Sequence, residues 1–243
     1  MIRLWAIALA LMPLSAFACE SVQYEGASYT ICRVDATTQD IRLFLTDPEN
    51  GSTLGTFRNV DELLEKSGEK LTLAMNAGMY HSDRRPVGHY VENGEQQAPL
   101  ITADGPGNFG LLPNGVFCVQ DGAARVVESR RFEREAPACR FATQSGPMLV
   151  IDGALHPRFL ESSDSTFIRN GVGTSADGRT AWFAISDEPV NFHAFASLFR
   201  DLLGTPQALY FDGNISRLYA PKLGRNDLGF PMGPIVGVVT GSD

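Results

Sequence analysis

Apolar residues recur along this chain in short bursts with two distinct spacings. The alternating runs Ser28 to Val34 and Ile41 to Leu45 predict strands. Asn59 to Lys66 predicts a helix that starts at an Asx cap and stops at Gly68. From Leu71 to Ser186 strand signals dominate, because the apolar runs are short. Asn93-Gly94, Asn114-Gly115, Asp121-Gly122, Asp152-Gly153 and Asp177-Gly178 punctuate them, and such dipeptides tolerate the positive φ of tight hairpin turns. A second helix is predicted over Asn191 to Leu203, where Phe192, Phe195, Phe199 and Leu202 bury one face and Gly204 supplies the stop. Ala208 to Phe211 and Pro234 to Val239 read as further buried strands. No internal repeat or linker interrupts the pattern. The expectation is an α+β fold, a single domain of predominantly antiparallel or mixed β-sheet with two packed helices.

The first residues change where that domain is expected to begin. Arg3, the apolar run Leu4 to Leu14 and Ala16-Phe17-Ala18 follow the charged, greasy and small-residue order of a secretory leader. Residues 1–18 are thus expected to be a signal peptide cleaved before Cys19, leaving 19–243 as the mature domain. Its apolar core is too short for an anchor, and no later segment nears the roughly 18 apolar residues of a spanning helix. An exported, soluble protein, periplasmic or secreted, is the expectation, with no integral membrane segment after cleavage. A lipoprotein signal at Cys19 competes, but Phe17 and the lack of Leu at the third position before the cysteine fit it poorly.

Export also bears on the four cysteines, Cys19, Cys32, Cys118 and Cys139. An even count in an oxidising compartment reads as two disulfides. Three connectivities are open, and Cys19 with Cys32 plus Cys118 with Cys139 is favoured because each pair flanks a short hairpin pattern. Loss of Arg3 leaves 19 basic against 28 acidic residues, a net charge of about -9. Nucleic acid is excluded as a partner on that balance, since phosphate backbones demand a basic footprint.

Five aspartates precede glycine. Asp121, Asp152 and Asp177 lie between strand-like runs and read as turn residues, and Asp104 lies in a Gly-rich loop. Asp212 differs, because it ends an apolar strand that follows a helix and precedes polar residues. A carboxylate at the end of a buried strand is partly desolvated, which suits it to acid/base or nucleophilic work. The stretch "LAMNAGMYHSDRRPVGHY" repeats that shape, delivering Asn76, Gly78 and Tyr80 to a loop with His81, Arg84, Arg85 and His89. Its two arginines fit solvated surface charge, and His89 reads either as facing a polar pocket or as structural. Gln144, Ser145 and Gly146-Pro147 lie between two strands, but the strand-to-helix elbow of a hydrolase serine is missing. Arg169, inside a strand-like run, is either paired in the sheet or presented to a phosphate or carboxylate. The four histidines lack metal-ligand spacing. Asp212 and Asp177 are the carboxylates weighed for Ca²⁺, no known calcium-loop signature contains them, and neither metal ligands nor a cofactor are assigned.

Four segments together, "AMNAGMY", "SGPMLVIDG", "FIRNGVGTSADGR" and "LGTPQALYFDGNIS", resemble the phosphodiester glycosidase family over most of the chain from Leu71 to Val239. Asn76-Ala77-Gly78 stands where the family usually has Asn-Gly-Gly, and Asp212-Gly213-Asn214 departs from its Asp-Gly-Gly. The resemblance implies that Asn76, Arg169 and Asp212 converge on one pocket. It implies Asp212 as nucleophile or general base, Arg169 as the phosphate clamp, and Asn76 with Ser216 as hydrogen-bonding partners of sugar or phosphate oxygens. Gly78, Tyr80, His89, Ser145, Gly146, Gly213 and Arg217 complete the expected substrate-binding set. The implied partner is a carbohydrate or glycan phosphodiester. The implied function is an exported hydrolase of a sugar-1-phosphodiester or related envelope linkage. A non-catalytic periplasmic glycan-binding protein is the alternative, and a purely structural envelope protein the third reading.

Overall fold

The computed structural model describes residues 17–212 and 214–241. The expected leader therefore lies outside the described residues except for Phe17 and Ala18, which open the first strand, and Gly213 lies outside them too. In chain order the elements begin with β1 (Phe17–Tyr24), β2 (Ala27–Asp35), β3 (Asp40–Phe44), α1 (Phe57–Glu65) and β4 (Glu69–Asn76). Next come β5 (Tyr90–Glu92), β6 (Glu95–Ala98), β7 (Gly115–Gln120), β8 (Ala123–Glu128) and α2 (Ser129–Glu135). They continue with β9 (Phe141–Ser145), β10 (Met148–Ile151), β11 (Ala154–Leu155), β12 (Asn170–Thr174), β13 (Thr180–Ser186) and α3 (Phe192–Ser197). The last are β14 (Gln207–Asp212), β15 (Leu218–Ala220), β16 (Arg225–Asn226) and β17 (Ile235–Gly241).

These strands form three antiparallel sheets. One has seven strands in the order β1-β2-β13-β12-β14-β10-β11, and two have five each, β16-β15-β4-β17-β3 and β6-β5-β9-β7-β8. Leu43, Leu73, Phe117, Phe141, Phe183, Leu209, Phe211 and Val236 pack the three inner faces into one central core. Each sheet also carries a helix: Phe57, Val60 and Leu64 of α1 pack on Leu71 and Ile235, Phe132 of α2 on Val116 and Ala142, and Phe195 of α3 on Leu149 and Tyr210. Full burial of such aromatic and aliphatic side chains stabilises by about 1.5–3 kcal/mol each. The fold is thus a single α+β domain, mostly β.

Three local readings change. There are three α-helices among the described residues, since Ser129–Glu135 is helical within a stretch read as strands. Its residues SRRFERE carry only Phe132 as an apolar anchor, and the Glu128 carboxylate starts it by accepting from the backbone N–H groups of Arg130 (2.9 Å) and Arg131 (2.8 Å). Helix α1 begins one turn early at the cap Thr56, whose hydroxyl accepts from Asn59 N at 3.1 Å. After α3 the chain widens into a π-turn over Leu198–Leu202, closed by Leu203 N donating to Leu198 O at 3.0 Å. The extra residue in that turn carries Leu202 outward, to 46% exposure, while Phe195 and Phe199 stay buried.

The turn dipeptides divide as well. Asn93-Gly94 and Asp152-Gly153 join hairpins with positive φ at both positions. Asn114-Gly115 is no turn: Asn114 is buried with its amide on Phe109 O at 3.0 Å, and Gly115 starts β7. The disulfides are Cys19–Cys32, directly opposed on β1 and β2, and Cys118–Cys139. No helix among the described residues is long and apolar enough to cross a membrane.

Candidate functional site

The seven-stranded sheet and the sheet containing β4 meet where β4 ends and β12 begins. At that seam Asn76 and Asn170, both fully buried, face each other. The Asn170 amide donates to Asn76 Oδ1 at 2.9 Å and to Asn76 O at 3.0 Å, and the Asn76 amide donates back to Asn170 Oδ1 at 3.3 Å. The remaining acceptor capacity serves the chain that crosses between the sheets. Asn170 Oδ1 also accepts from Asp212 N at 3.2 Å, and Asn76 Oδ1 accepts from Arg217 N at 2.9 Å. The hydroxyl of Ser216 sits in the same cluster, donating toward Asp212 O (2.7 Å) and Ile168 O (2.9 Å). The side chains of Asn76 and Ser216 are thus engaged inside the protein, where they fix the backbone on both sides of the Asp212 loop.

Asp212 is the last residue of β14, and alternation along that strand sets it on the same side as Tyr210. Leu209 and Phe211 point instead into the central core. Both Tyr210 and Asp212 line a cleft of about 520 Å³, whose other walls include Tyr80, Arg84, Asn108, Phe167 and Ile215. Arg84 reaches it from the loop after β4, its guanidinium 5.3 Å from the centre of the Tyr80 ring, on a backbone held at φ +74. A left-handed arginine is uncommon, and such strain concentrates at functional sites. Gly78, at φ +124, lets that loop leave β4: a Cβ there would stand 2.9 Å from Thr143 Oγ1.

Arg169 lies beneath this cleft and is fully buried. Its Nε donates to Val190 O at 2.8 Å, its Nη2 to Ser165 O at 3.0 Å, and the guanidinium stacks 3.6 Å from the Phe192 ring centre. The rings of Tyr210 and Phe167 lie 5.4 and 5.5 Å away. Burial depresses its pKa, and Tyr210 is the group that opposes this. Burial likewise drives the Tyr210 phenol far upward, with Asp212 adding to the rise, so Tyr210 is neutral throughout the physiological range. Tyr80 is raised by burial and by Asp212. Arg217 does not line the cleft; its guanidinium holds Phe230 O at 2.6 Å.

Three further expected substrate-binding residues lie away from the cleft. His89 is buried 5.2 Å from the Phe132 ring, and its backbone exchanges hydrogen bonds with Gln144. Burial lowers its pKa. Ser145 donates to Phe211 O at 2.7 Å, tying β9 to β14 from behind. Gly146 packs against Asn114, where a Cβ would approach Asn114 Cβ to 2.7 Å. Asn170, Tyr210 and the cleft-facing position of Arg84 were not singled out from the sequence. Asn170 directly follows Arg169 and Tyr210 hides in an apolar run, so neither stands out by pattern.

Asp212 and Asp177 do not share a site. Asn170 at one end of β12 pairs with Asp212, whereas Asp177 lies in the turn beyond the other end, held by Ser175 Oγ at 2.6 Å. Among the described residues no group of three or more His, Cys, Asp or Glu side chains is arranged to hold a metal ion.

A sequence model described as phosphodiester glycosidase matches residues 69–231. The chain is 35% identical over 215 residues to the uncharacterized protein YigE of Escherichia coli (strain K12), covering 88% of this chain and 83% of that one. Among solved structures it resembles the catalytic domain of zebrafish N-acetylglucosamine-1-phosphodiester alpha-N-acetylglucosaminidase, with a TM-score of 0.62 over 91% of this chain and 81% of that chain. At 12% identity this second likeness is one of fold.

Proposed function

The chain belongs to the phosphodiester glycosidase family, and on that premise we propose that it is an exported hydrolase cleaving a sugar-1-phosphodiester or related envelope glycan linkage. The observation that carries this reading is Asp212, a strand-end carboxylate in a cleft with two phenols and an arginine. A volume of about 520 Å³ suits a monosaccharide with its phosphate. The activity named for the zebrafish enzyme, on an N-acetylglucosamine-1-phosphodiester, supports the linkage.

In the reaction the bond from sugar C1 to the phosphate oxygen breaks and its electron pair leaves with the phosphate. Water oxygen bonds to C1, giving a free sugar and a phosphate monoester. Asp212 serves this step either by taking the proton of the attacking water or by bonding C1 itself before water releases the sugar. The configuration of the released sugar distinguishes the two. Phosphate is a good leaving group, so one carboxylate is sufficient. Arg84 at the wall and Arg169 under the floor provide positive potential for the departing phosphate. The two disulfides fit the periplasmic or secreted location, to which the leader over residues 1–18 would direct the chain.

The test is release of reducing sugar from a panel of sugar-1-phosphodiesters, beginning with N-acetylglucosamine. Asp212→Asn is expected to lose about a thousandfold in turnover. Wild-type protein that binds these compounds without releasing sugar would instead be a glycan-binding module. Full turnover by Asp212→Asn would remove Asp212 from the chemistry.

A further inference from the structure

The two most exposed large apolar side chains among the described residues stand on one loop, Leu228 at 85% and Phe230 at 78% exposure. That loop, which joins β16 to β17, is tied down along its length. Asp227 N donates to Leu218 O at 3.0 Å, Met232 N to Gly55 O at 2.8 Å, and Arg217 passes beneath to donate to Phe230 O at 2.6 Å. Gly229, at φ +150, makes room for that arginine, since a Cβ there would collide with the guanidinium. A fixed backbone thus presents two apolar side chains to water, which solvates them poorly.

The loop borders the cleft. Gly233 lies against Tyr80 of the cleft wall, where a Cβ would meet Tyr80 Cγ at 2.5 Å, and the half-exposed Phe167 is a further apolar side chain of that wall. The charges nearby are uneven. Arg84, over the Tyr80 ring, and Arg217 have no salt bridge among the described residues, whereas Asp227 is taken by Arg225, Asp83 by Arg85 and Glu62 by Arg58.

Protruding apolar tips beside unpaired arginines suit a phospholipid surface, whose acyl boundary takes the side chains while its phosphate headgroups attract the guanidiniums. A second copy of the chain suits them less. Full burial of a leucine and a phenylalanine supplies about 400 Å², half of the roughly 800 Å² per partner in a standard interface. The net charge of -8 opposes adsorption of the molecule at large to anionic lipid, which confines attachment to this loop.

We propose that the loop carrying Leu228 and Phe230 inserts into the surface of a phospholipid bilayer and holds the cleft beside it. The contact does not depend on hydrolysis. Flotation of the full chain with vesicles of phosphatidylethanolamine and about one quarter phosphatidylglycerol tests it. Wild type is expected to float, and the double variant Leu228→Ser, Phe230→Ser to bind about tenfold to a hundredfold more weakly while melting at the wild-type temperature. Should the double variant fail to fold, Phe230→Trp decides. After subtraction of the wild-type spectrum, which removes Trp5 and Trp182, its emission is expected to shift to the blue with vesicles and to be quenched by brominated acyl chains.

Failure of wild type to float, wild-type affinity in the double variant, or an unshifted emission from Phe230→Trp overturns the proposal. So does a dimer in sedimentation velocity that the double variant dissolves, because the loop would then be a contact between copies. Vesicle binding without hydrolysis of any sugar-1-phosphodiester keeps the lipid contact and removes the hydrolase. Hydrolysis without vesicle binding does the reverse.

Discussion

Asn76 and Asn170 hold each other by their side-chain amides across the meeting of two sheets, at 2.9 and 3.3 Å, in full burial. No backbone ladder joins β4 to β12, so this pair does there what main-chain hydrogen bonds do within a sheet.

Asn170→Ala is accordingly expected to destabilise the protein by about 3 kcal/mol, because it leaves the Asn76 amide and Asp212 N without their buried partner. Urea unfolding should show a lower midpoint at an unchanged slope. A loss under about 0.5 kcal/mol would mean that solvent reaches the pair and replaces the contacts.

Gly78→Ala is expected to cost about 2 kcal/mol. The added Cβ meets Thr143 Oγ1 at 2.9 Å, and that hydroxyl is held by its own 2.6 Å bond to Ala77 O. The backbone at φ +124 adds strain whatever the space. Thermal melting of the variant checks this, and a wild-type midpoint would contradict it.

Arg84→Gln should leave the fold intact, since the side chain is half-exposed. On a sugar-1-phosphodiester it is expected to raise KM about tenfold and to weaken the salt dependence of kcat/KM, as removal of a phosphate-facing charge requires. Steady-state kinetics at two ionic strengths provide the check.

Stability should fall as pH rises, through Glu92. Burial lifts this carboxyl above its usual 4.5, against the lowering effect of the Tyr90 hydroxyl, 2.8 Å away, and of the Leu45 backbone. As pH rises from 4.5 through the raised value, the unfolded chain releases its proton first and the folded state loses ground. Glu92→Gln should flatten that decline and be the more stable protein at neutral pH. Denaturant unfolding across this range tests it, and an unaltered pH profile in the variant would count against it.

Much of the fold was legible because its signals are local. Asp152-Gly153 and Asn93-Gly94 specify hairpins by backbone preference alone, and Asn191 caps its helix through its own side chain. Helix α2 was not legible, since a charged heptapeptide with one phenylalanine lacks a stripe and depends on the Glu128 cap and on Phe132 meeting the sheet. Leu202 was misplaced because a 3.6-residue period does not survive a π-turn.

The site divides in the same way. Asp212 was marked by an apolar strand ending in polar residues. Tyr210 gave no comparable signal, because its ring packs like any core aromatic and its place in the cleft wall is decided by tertiary packing. Arg169 signalled a buried cation, but whether its head turns toward solvent or under a phenylalanine is decided by tertiary contacts with Val190, Ser165 and Phe192.

The amide pair also limits how the cleft can be rebuilt. Its two principal loops, one following β4 and the other following β14, depart from different sheets; Asn76 and Asn170 hold the roots of both, and the second loop lands on β15, which pairs with β4. Exchanging either loop with that of another family member is therefore a modular operation, provided that both asparagines travel with the scaffold. A chimera that substitutes one of them inherits the new loop without the hinge pin that aligns it to its neighbour.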